Sequence, residues 1–375
     1  MMAQLQKLCL LLLLSFPLFS SAQTLSPDNW LEGIKKSKSG DTLRLGPGIF
    51  ETSELIRLQK SIAIIGAGSN RTAIKSSARA GLVLKQGGIF LKDLSISGDK
   101  FGIDLQTPVT GPCRFEQVRF CESENGAGVA GTNVYFEKCV FEDNRVLGTY
   151  VYGGKLKKEP RALMNIVFDQ CEWRNNAIGP DANVVHHAGA IKIIPNCAGI
   201  QILDCQIVDA KGIWIDGCHG GHIIRNNYVE TTDNALHFEV SGHQDQRRTI
   251  ISDNVFISKN KHGAYISCSS NVDLTHNTIA GPRGISMAGV PRSNNYVSGT
   301  EFESMRNNLI SRNVVFTDLK RINVQSEEDA QNKAQEKGYA VPERLIYDNQ
   351  VQHNIIKPLE EYGQVSIPAE YGPRP

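Results

Sequence analysis

Residues 200–207 read IQILDCQI, and the same pattern of apolar and polar residues returns along most of the chain. Similar copies are VYFEKCVF at 134–141 and IVFDQCEW at 166–173, and later copies such as TIISDNVF at 249–256 carry Asn in place of Cys. Equivalent positions in the closest copies are 21 to 24 residues apart, and longer intervals contain insertions. An internal repeat of this length indicates a solenoid in which each copy belongs to one coil.

Each copy has the pattern of a short β-strand. Apolar and polar residues alternate with a period of two, β-branched residues are frequent, and Gly, Asn and Asp separate the copies. A helical solenoid would need longer segments with a 3.6-residue period, which these copies lack. We therefore predict an all-β fold: a single-stranded right-handed parallel β-helix of the pectin-lyase-like type, with about ten or more coils in one domain over residues 23–375.

The sixth position of each copy is predicted to point into the core and to stack on its neighbours. This column reads Leu94, Val118, Cys139, Cys171, Cys205, Asn227, Asn254, Asn277, Asn313 and Asn349. Stacked amides would satisfy one another's hydrogen bonds inside the solenoid. The same stacking favours buried thiols for the cysteines, although an exported chain with an even number of cysteines also allows disulfides.

The first 22 residues have the features of an export signal. Lys7 precedes an apolar stretch over 8–19 and a small-residue cleavage site, Ser20-Ser21-Ala22. The apolar stretch is too short to span a bilayer, so we expect a secreted or periplasmic protein. The chain has 40 basic and 39 acidic residues and a formal net charge of +1, which argues against nucleic acid or a membrane surface as partner.

Extra segments are predicted at both ends of the solenoid and around its middle coils. A helix with Ser26 or Asp28 as N-cap would cover the first coil, because a solenoid exposes its core at each end. A helical excursion is predicted over 326–338. Insertions, which mark the binding face of a solenoid, are predicted at 146–161, 175–187, 242–248 and 289–304.

Two carboxylates occupy the same place in neighbouring copies among these insertions. GIWIDG contains Asp216, and NALHFEVS contains Glu239, 23 residues later. Adjacent strands lie about 4.8 Å apart, close to the separation of about 5–5.5 Å between the carboxyl groups of retaining glycosidases. Ionisation of both acids at this distance costs free energy because like charges repel. One acid can therefore keep its proton and act as general acid while the other attacks an anomeric carbon.

Alternation in the same strands predicts which side chains surround the two acids. Lys192, Trp214, His237 and Tyr265 form one outward column, beside the column that holds Asp216 and Glu239. A cation, aromatic rings and an imidazole next to two acids are typical of a sugar cleft. The residues predicted to contact substrate are Lys192, Trp214, His237, Ser241, His243, Tyr265 and Arg292. No Cys/His cluster has the spacing of a zinc site, so we predict no metal.

Around these residues the chain resembles glycoside hydrolase family 120, the β-xylosidase-type β-helix enzymes. The similar elements, within about residues 188–254, are AGAIK around Lys192, GIWID ending at Asp216 and FEVS at Glu239. The resemblance implies a retaining mechanism with Asp216 as nucleophile and Glu239 as general acid/base. The chain departs from the family after the acid strand, where Ser241-Gly242-His243 stands in place of an Asn-His-Gly turn.

Two other functions fit the same residues. A polysaccharide lyase acting on uronic-acid polymers would use Lys192 as base, with Asp216 and Glu239 binding Ca²⁺ or neutralising the uronate. GIWIDG resembles the WIDH stretch of pectate lyases, but the expected Arg-rich strand is missing. A non-catalytic carbohydrate-binding β-helix would carry the stacked acids without using them. The leading prediction is an exported, monomeric glycoside hydrolase acting on a polysaccharide or oligosaccharide, with no cofactor unless the lyase function requires Ca²⁺.

Overall fold

The computed structural model describes residues 21–105, 111–154, 163–177, 188–242, 247–289, 304–336 and 344–364. Three long parallel sheets wind around one core, and the chain visits sheet 1, sheet 2 and sheet 3 in turn in each coil. The predicted β-solenoid is therefore confirmed. Each coil hydrogen-bonds to the coils above and below it, so the register is repeated along the whole stack.

The strands are as follows among the described residues. Sheet 1 contains Ser21–Leu25, Asp41–Leu45, Ala63–Ile65, Ile89–Lys92, Cys113–Glu116, Val134–Glu137, Ile166–Asp169, Ile200–Leu203, Ile223–Arg225, Thr249–Ser252, Val272–Thr275, Leu309–Ser311 and Gln350–Gln352. Sheet 2 contains Gly48–Thr52, Thr72–Ser76, Ser95–Ser97, Arg119–Cys121, Val140–Glu142, Glu172–Arg174, Gln206–Asp209, Tyr228–Thr231, Val255–Ser258, Thr278–Ala280, Val314–Thr317 and Ile355–Pro358. Sheet 3 contains Arg57–Leu58, Ala80–Leu84, Phe101–Leu105, Asn125–Val129, Leu147–Tyr152, Gly189–Ile194, Ile213–Asp216, Leu236–Glu239, Ala264–Ser267, Ile285–Ala288 and Asn323–Val324. A separate ladder pairs Met305–Arg306 with Ile346–Tyr347.

The turn between sheet 1 and sheet 2 is made by one residue in the left-handed conformation. Asp204 has φ of +53° and Asp253 has φ of +59°, and Asp and Asn tolerate this conformation better than most residues. The next residue points into the core and occupies the predicted column. The repeat thus combines a strand, a sharp turn and a core position within six residues.

The asparagine ladder is present in the core. Nδ2 of Asn227 donates to Oδ1 of Asn254 over 2.8 Å, and Asn254 donates to Asn277 over 2.9 Å. Asn277 donates in turn to Asn313 over 3.0 Å. Each amide also donates to a main-chain carbonyl of the coil below, so the buried polar atoms of the ladder are satisfied.

The last member of the column was predicted wrongly. Asn313 donates to Asn354 over 2.9 Å, whereas Asn349 accepts from Asn308 in a second ladder that precedes the sheet 1 strands. The final copy of the repeat is therefore NQVQHNII at 349–356, five residues later than predicted. The prediction failed because RLIYDNQV, five residues earlier, has the same alternation of apolar and polar residues. In the structure its Ile346 pairs in the separate two-stranded ladder and not in sheet 1.

The cysteines of the column are buried free thiols, which confirms the preferred prediction. Cys139, Cys171 and Cys205 lie in the core without disulfides, as do the other cysteines among the described residues. Sγ of Cys205 accepts a hydrogen bond from the main-chain N–H of Cys171 over 3.3 Å. Burial raises the pKa of Cys171 and Cys205 well above the ordinary value.

The two predicted helices are present with adjusted ends. The N-terminal helix is Trp30–Lys36, and its N-cap is Asn29 rather than Ser26 or Asp28. The Asn29 side chain instead accepts from the N–H of Ser26 over 2.8 Å, and buried Trp30 covers the core against Phe50. The C-terminal helix is Glu327–Glu336, and a 3-10 helix follows at Leu359–Gln364.

Part of one predicted insertion belongs to the solenoid. Leu147–Tyr152, inside the range 146–161, is a strand of sheet 3 that pairs with Gly189–Ile194. Its sequence, LGTYVY, is β-branched and aromatic, as strands prefer, so extra chain begins only after it. Among the described residues no helix is long and apolar enough to cross a membrane.

Candidate functional site

The two acids face each other across neighbouring strands of sheet 3, as the alternation predicts. Asp216 is the register partner of Glu239, and the strands that carry them are hydrogen-bonded neighbours. In the same sheet Lys192 lies opposite Trp214, and His237 lies opposite Tyr265. The structure therefore brings together six of the residues predicted for the site, with Tyr265 at its edge.

Asp216 is the more accessible member of the pair and forms an ion pair with a lysine. Its side chain is 30% exposed, and Nζ of Lys192 lies 2.9 Å from its Oδ2. Lys192 itself is buried, which lowers the pKa of its ammonium group, while the charges of Asp216 and Glu239 oppose that shift.

Glu239 is the buried member of the pair. Only 1% of the residue is exposed, although the alternation predicted an open outward position. The indole Nε1–H of Trp214 donates to its Oε2 over 2.9 Å, and Nε2 of His237 lies 3.6 Å from the same oxygen. The two carboxyl groups are thus neighbours in very different environments, one partly exposed beside an ammonium group and the other buried beside an indole.

Trp214 does not offer an open ring face to a sugar, although an outward aromatic ring was predicted to contact substrate. Nζ of Lys192 lies 3.0 Å from the centre of its ring, and His237 stacks on it at 5.0 Å between ring centres. Tyr265 follows His237 at 4.9 Å, and His262 stacks on Tyr265 at 4.7 Å. Adjacent coils are spaced for ring stacking, so each side chain of the column covers a ring face of its neighbour. The ring edges are left for a ligand to contact.

Of the three other predicted contacts, one is revised and two lie outside the described residues. Ser241 is fully buried, because Val240 has a φ of +47° and ends the strand alternation at Glu239. The Ser241 hydroxyl accepts from the N–H of Cys218 over 3.0 Å and donates to the carbonyl of Glu239 over 2.7 Å, so it is a turn residue. His243 and Arg292 lie outside the described residues.

Sequence reasoning missed a set of cations at the beginning of the sheet 3 strands. A cavity of about 160 Å³ next to Trp214 and His237 is also lined by Lys211 and Lys261. A second cavity of about 510 Å³, further along the sheet, is lined by three cations: Arg283, Lys320 and Arg321. The sequence signal is a basic residue just before the glycine that precedes two of these strands, Lys211-Gly212 and Arg283-Gly284.

Within the part of the chain that the structure describes, no three His, Cys, Asp or Glu side chains converge closely enough to hold a metal ion. Asp216 and Glu239 engage Lys192 and Trp214 instead.

The fold places this chain in a defined class of solenoids. Residues 70–279 match the family model described as "Right handed beta helix region", which is more than half of the chain. The chain therefore belongs to the right-handed β-helix family, and the predicted fold class is confirmed in full. No curated protein matches the chain.

Two solved structures illustrate the similarity. A mannuronic acid specific polysaccharide family 6 lyase from human gut microbiota has a TM-score of 0.57 at 15% identity, with 91% of this chain and 84% of that chain covered. The catalytic domain of a GH87 alpha-1,3-glucanase in complex with nigerose has a TM-score of 0.52 at 11% identity, with 89% and 68% covered. At these identities the similarity concerns the fold alone, and function has to be argued from the site.

Proposed function

We propose that the protein is an exported carbohydrate-active enzyme, a retaining glycoside hydrolase with Asp216 and Glu239 as its catalytic residues. The observation that carries the proposal is the asymmetry of the pair. Two carboxyl groups on adjacent strands lie in environments that favour different roles, and such a division is what acid/base and nucleophilic catalysis requires. The resemblance to glycoside hydrolase family 120 supports the same assignment of roles.

In the proposed reaction, an Asp216 oxygen attacks the anomeric carbon while Glu239 gives its proton to the glycosidic oxygen, and the leaving sugar departs as an alcohol. Glu239 then takes a proton from water, whose oxygen attacks the same carbon and releases Asp216. The two displacements together retain the anomeric configuration. Lys192 forms an ion pair with Asp216 and orients its carboxylate, and the Trp214 N–H fixes the orientation of the Glu239 carboxyl group.

Digestion of a glycan library tests the proposal, with both new reducing ends and unsaturated products measured. The wild type should release reducing ends from at least one glycan without unsaturation, and Asp216→Asn and Glu239→Gln should each lose at least 100-fold in rate. Glu137→Gln is the matched control, because Glu137 is a carboxylate on sheet 1 in an ion pair with Arg114. Glycan binding without cleavage, unchanged in both site variants, would show a binding module instead.

A lyase is the second candidate, and the state of Lys192 favours it. Burial lowers the pKa of this amine, as a general base requires, and the first solved structure named above is a lyase. The geometry opposes this function, since Nζ of Lys192 is already held between Asp216 and the Trp214 ring. A lyase would release unsaturated sugars and lose all activity in Lys192→Met, whereas a hydrolase would keep part of its activity.

Export is also a proposal, and it rests on residues 1–22. Cleavage after Ala22 would leave Gln23–Leu25 paired with sheet 1, because Gln23 and Leu25 are register partners of Leu43 and Leu45. N-terminal sequencing of the protein recovered from the periplasm or the medium should begin at Gln23. Retention of the uncleaved chain inside the cell would contradict this.

A further inference from the structure

Two cavities lined with cations lie along sheet 3 beside the acid pair, with volumes of about 160 and 510 Å³. They lie at the beginning of the strands, whereas Asp216 and Glu239 lie at their ends. We call this surface the basic groove and define it by its cations, Lys211, Lys261, Arg283, Lys320 and Arg321.

The strand register aligns the groove with the solenoid axis. Ile213, Leu236, Ala264 and Ile285 are successive register partners. The residues two positions earlier therefore follow one another in the same order, Lys211, Asn234, His262 and Arg283. Pairing of Ser286 with Asn323 brings Lys320 beside Arg283 in the next coil. Five strands at a spacing of about 4.8 Å give a length of about 19 Å, which suits a polymer better than a single sugar.

Cations outnumber acids among the described residues that line the groove. The larger cavity has three exposed cations and no carboxylate among these residues. In the smaller cavity Asp233 faces two cations, with its Oδ2 2.7 Å from Nζ of Lys261 and its charge also acting on Lys211. Burial together with the nearby charges of Arg283 and Lys261 lowers the pKa of His262 to about 4. The excess is local, since the whole chain has a formal net charge of only +1.

Two rings connect the smaller cavity with Glu239. Trp214 and His237 line that cavity, and the same two side chains contact Glu239. A sugar residue in the smaller cavity would therefore lie beside rings that also contact the acid pair. Cations spaced along a path with ring edges are suited to a sugar chain that bears anionic groups.

We propose that the basic groove binds an acidic glycan, a polymer bearing carboxylate or sulfate groups, and directs it to Asp216 and Glu239. This inference rests on the proposed function in assigning the groove to the substrate of the acid pair. It names the substrate class that the acid pair alone leaves open. Binding and cleavage are separable, so each can fail without the other.

Affinity electrophoresis and calorimetry test the groove with polymannuronate, polygalacturonate and chondroitin sulfate. Each polymer is compared with its carboxyl-reduced or desulfated form, which keeps the backbone and removes the charge. The groove variant is Arg283→Glu/Lys320→Glu/Arg321→Glu. The control variant, Arg44→Glu/Arg71→Glu/Lys100→Glu, reverses three exposed cations in the early coils. Thermal unfolding shows whether both variants fold as the wild type does. If the groove variant does not fold, the same three residues are changed to Gln instead.

The wild type should bind at least one acidic polymer at least tenfold more tightly than its neutral form, and added salt should weaken that binding. The groove variant should lose at least tenfold in affinity, while the control variant and Glu239→Gln keep it. Binding of no acidic polymer, or equal binding by the groove variant, would overturn the inference. If the protein cleaves only neutral glycans, the proposed hydrolase stands and the proposed role of the groove is wrong. If it binds acidic polymers through the groove but cleaves none, the binding proposal stands and the proposed hydrolase is wrong.

Discussion

The indole Nε1–H of Trp214 donates a hydrogen bond to Oε2 of Glu239 over 2.9 Å, from one coil of the solenoid to the next. The same indole lies against Nζ of Lys192, which in turn contacts Asp216. One ring thus connects the two carboxyl groups of the proposed active site. Its position follows from the repeat, because Trp214 lies between Lys192 and His237 in one outward column.

Trp214→Phe should lower kcat about tenfold with little change in KM. Phenylalanine keeps a ring between Lys192 and His237 but removes the N–H donor, and a hydrogen bond to a charged group is worth about 1.5–3 kcal/mol. Steady-state kinetics with a cleaved glycan measures kcat and KM separately. Unchanged kcat and KM would show that the indole has no role at Glu239.

Asp209→Asn should stabilise the fold near neutral pH. Burial raises the pKa of Asp209 to about 6, while hydrogen bonds from Asn176 and the N–H of Ala210 oppose the shift. The folded state then holds its proton more tightly than the unfolded chain, so the stability from Asp209 is present below about pH 4 and lost as pH rises towards 6. The loss is about 3 kcal/mol.

Urea unfolding between pH 4 and 7 measures the effect. The Asp209→Asn variant should have a flatter profile across this window and a higher free energy of unfolding at pH 7, since an amide can continue the ladder of Asn144 and Asn176. Asp28→Asn, at an exposed position, is the control and should keep the wild-type profile. Equal slopes in the Asp209→Asn variant and the wild type would refute the role of Asp209.

Asn254→Ala should destabilise the protein by about 3 kcal/mol. The Asn254 amide accepts from the N–H and Nδ2 of Asn227 and donates to Asn277 and Ile224. Its removal leaves buried polar groups without partners on both sides, at about 1–3 kcal/mol each. Asn260→Ala, at an exposed site, should change stability by less than about 0.5 kcal/mol. Denaturant midpoints compare the two, and equal midpoints would contradict the ladder.

The native protein should be unreactive towards thiol reagents. The cysteines at 113, 121, 139, 171, 197, 205, 218 and 268 are buried and free, and thiolates are the reactive species. Burial raises the pKa of Cys113 and of Cys121 to about 11, which further suppresses thiolate formation at neutral pH. Labelling should be negligible in the native state and complete after denaturation, and reductant should not change the melting temperature. Disulfide-linked peptides in a non-reducing digest would contradict this.

Much of the fold could be predicted because every coil repeats the same local pattern. The period-two alternation also predicted that Asp216 and Glu239 face each other, since strand register is a local property. It could not predict the burial of Glu239 or the covering of Trp214, because these depend on which side chains of neighbouring coils lie on them. The prediction for Ser241 failed since nothing in the residue type indicates the left-handed conformation of Val240.

The basic groove was missed for a related reason. Its cations come from turns of several coils, from Lys211 to Arg321, and no continuous basic run marks them. They become neighbours only through the register of sheet 3. A search for residue types that recur at equivalent turn positions could have found them, whereas total charge conceals them.

The central claim, a retaining hydrolase built on Asp216 and Glu239, is tested most directly by the stereochemistry of the first-formed product. Proton NMR during cleavage of a substrate identified in the glycan digest follows the anomeric signal before mutarotation. With a retaining mechanism the new reducing end first appears with the anomeric configuration of the bond that was cleaved. First appearance of the opposite anomer, or of an unsaturated sugar, would contradict it.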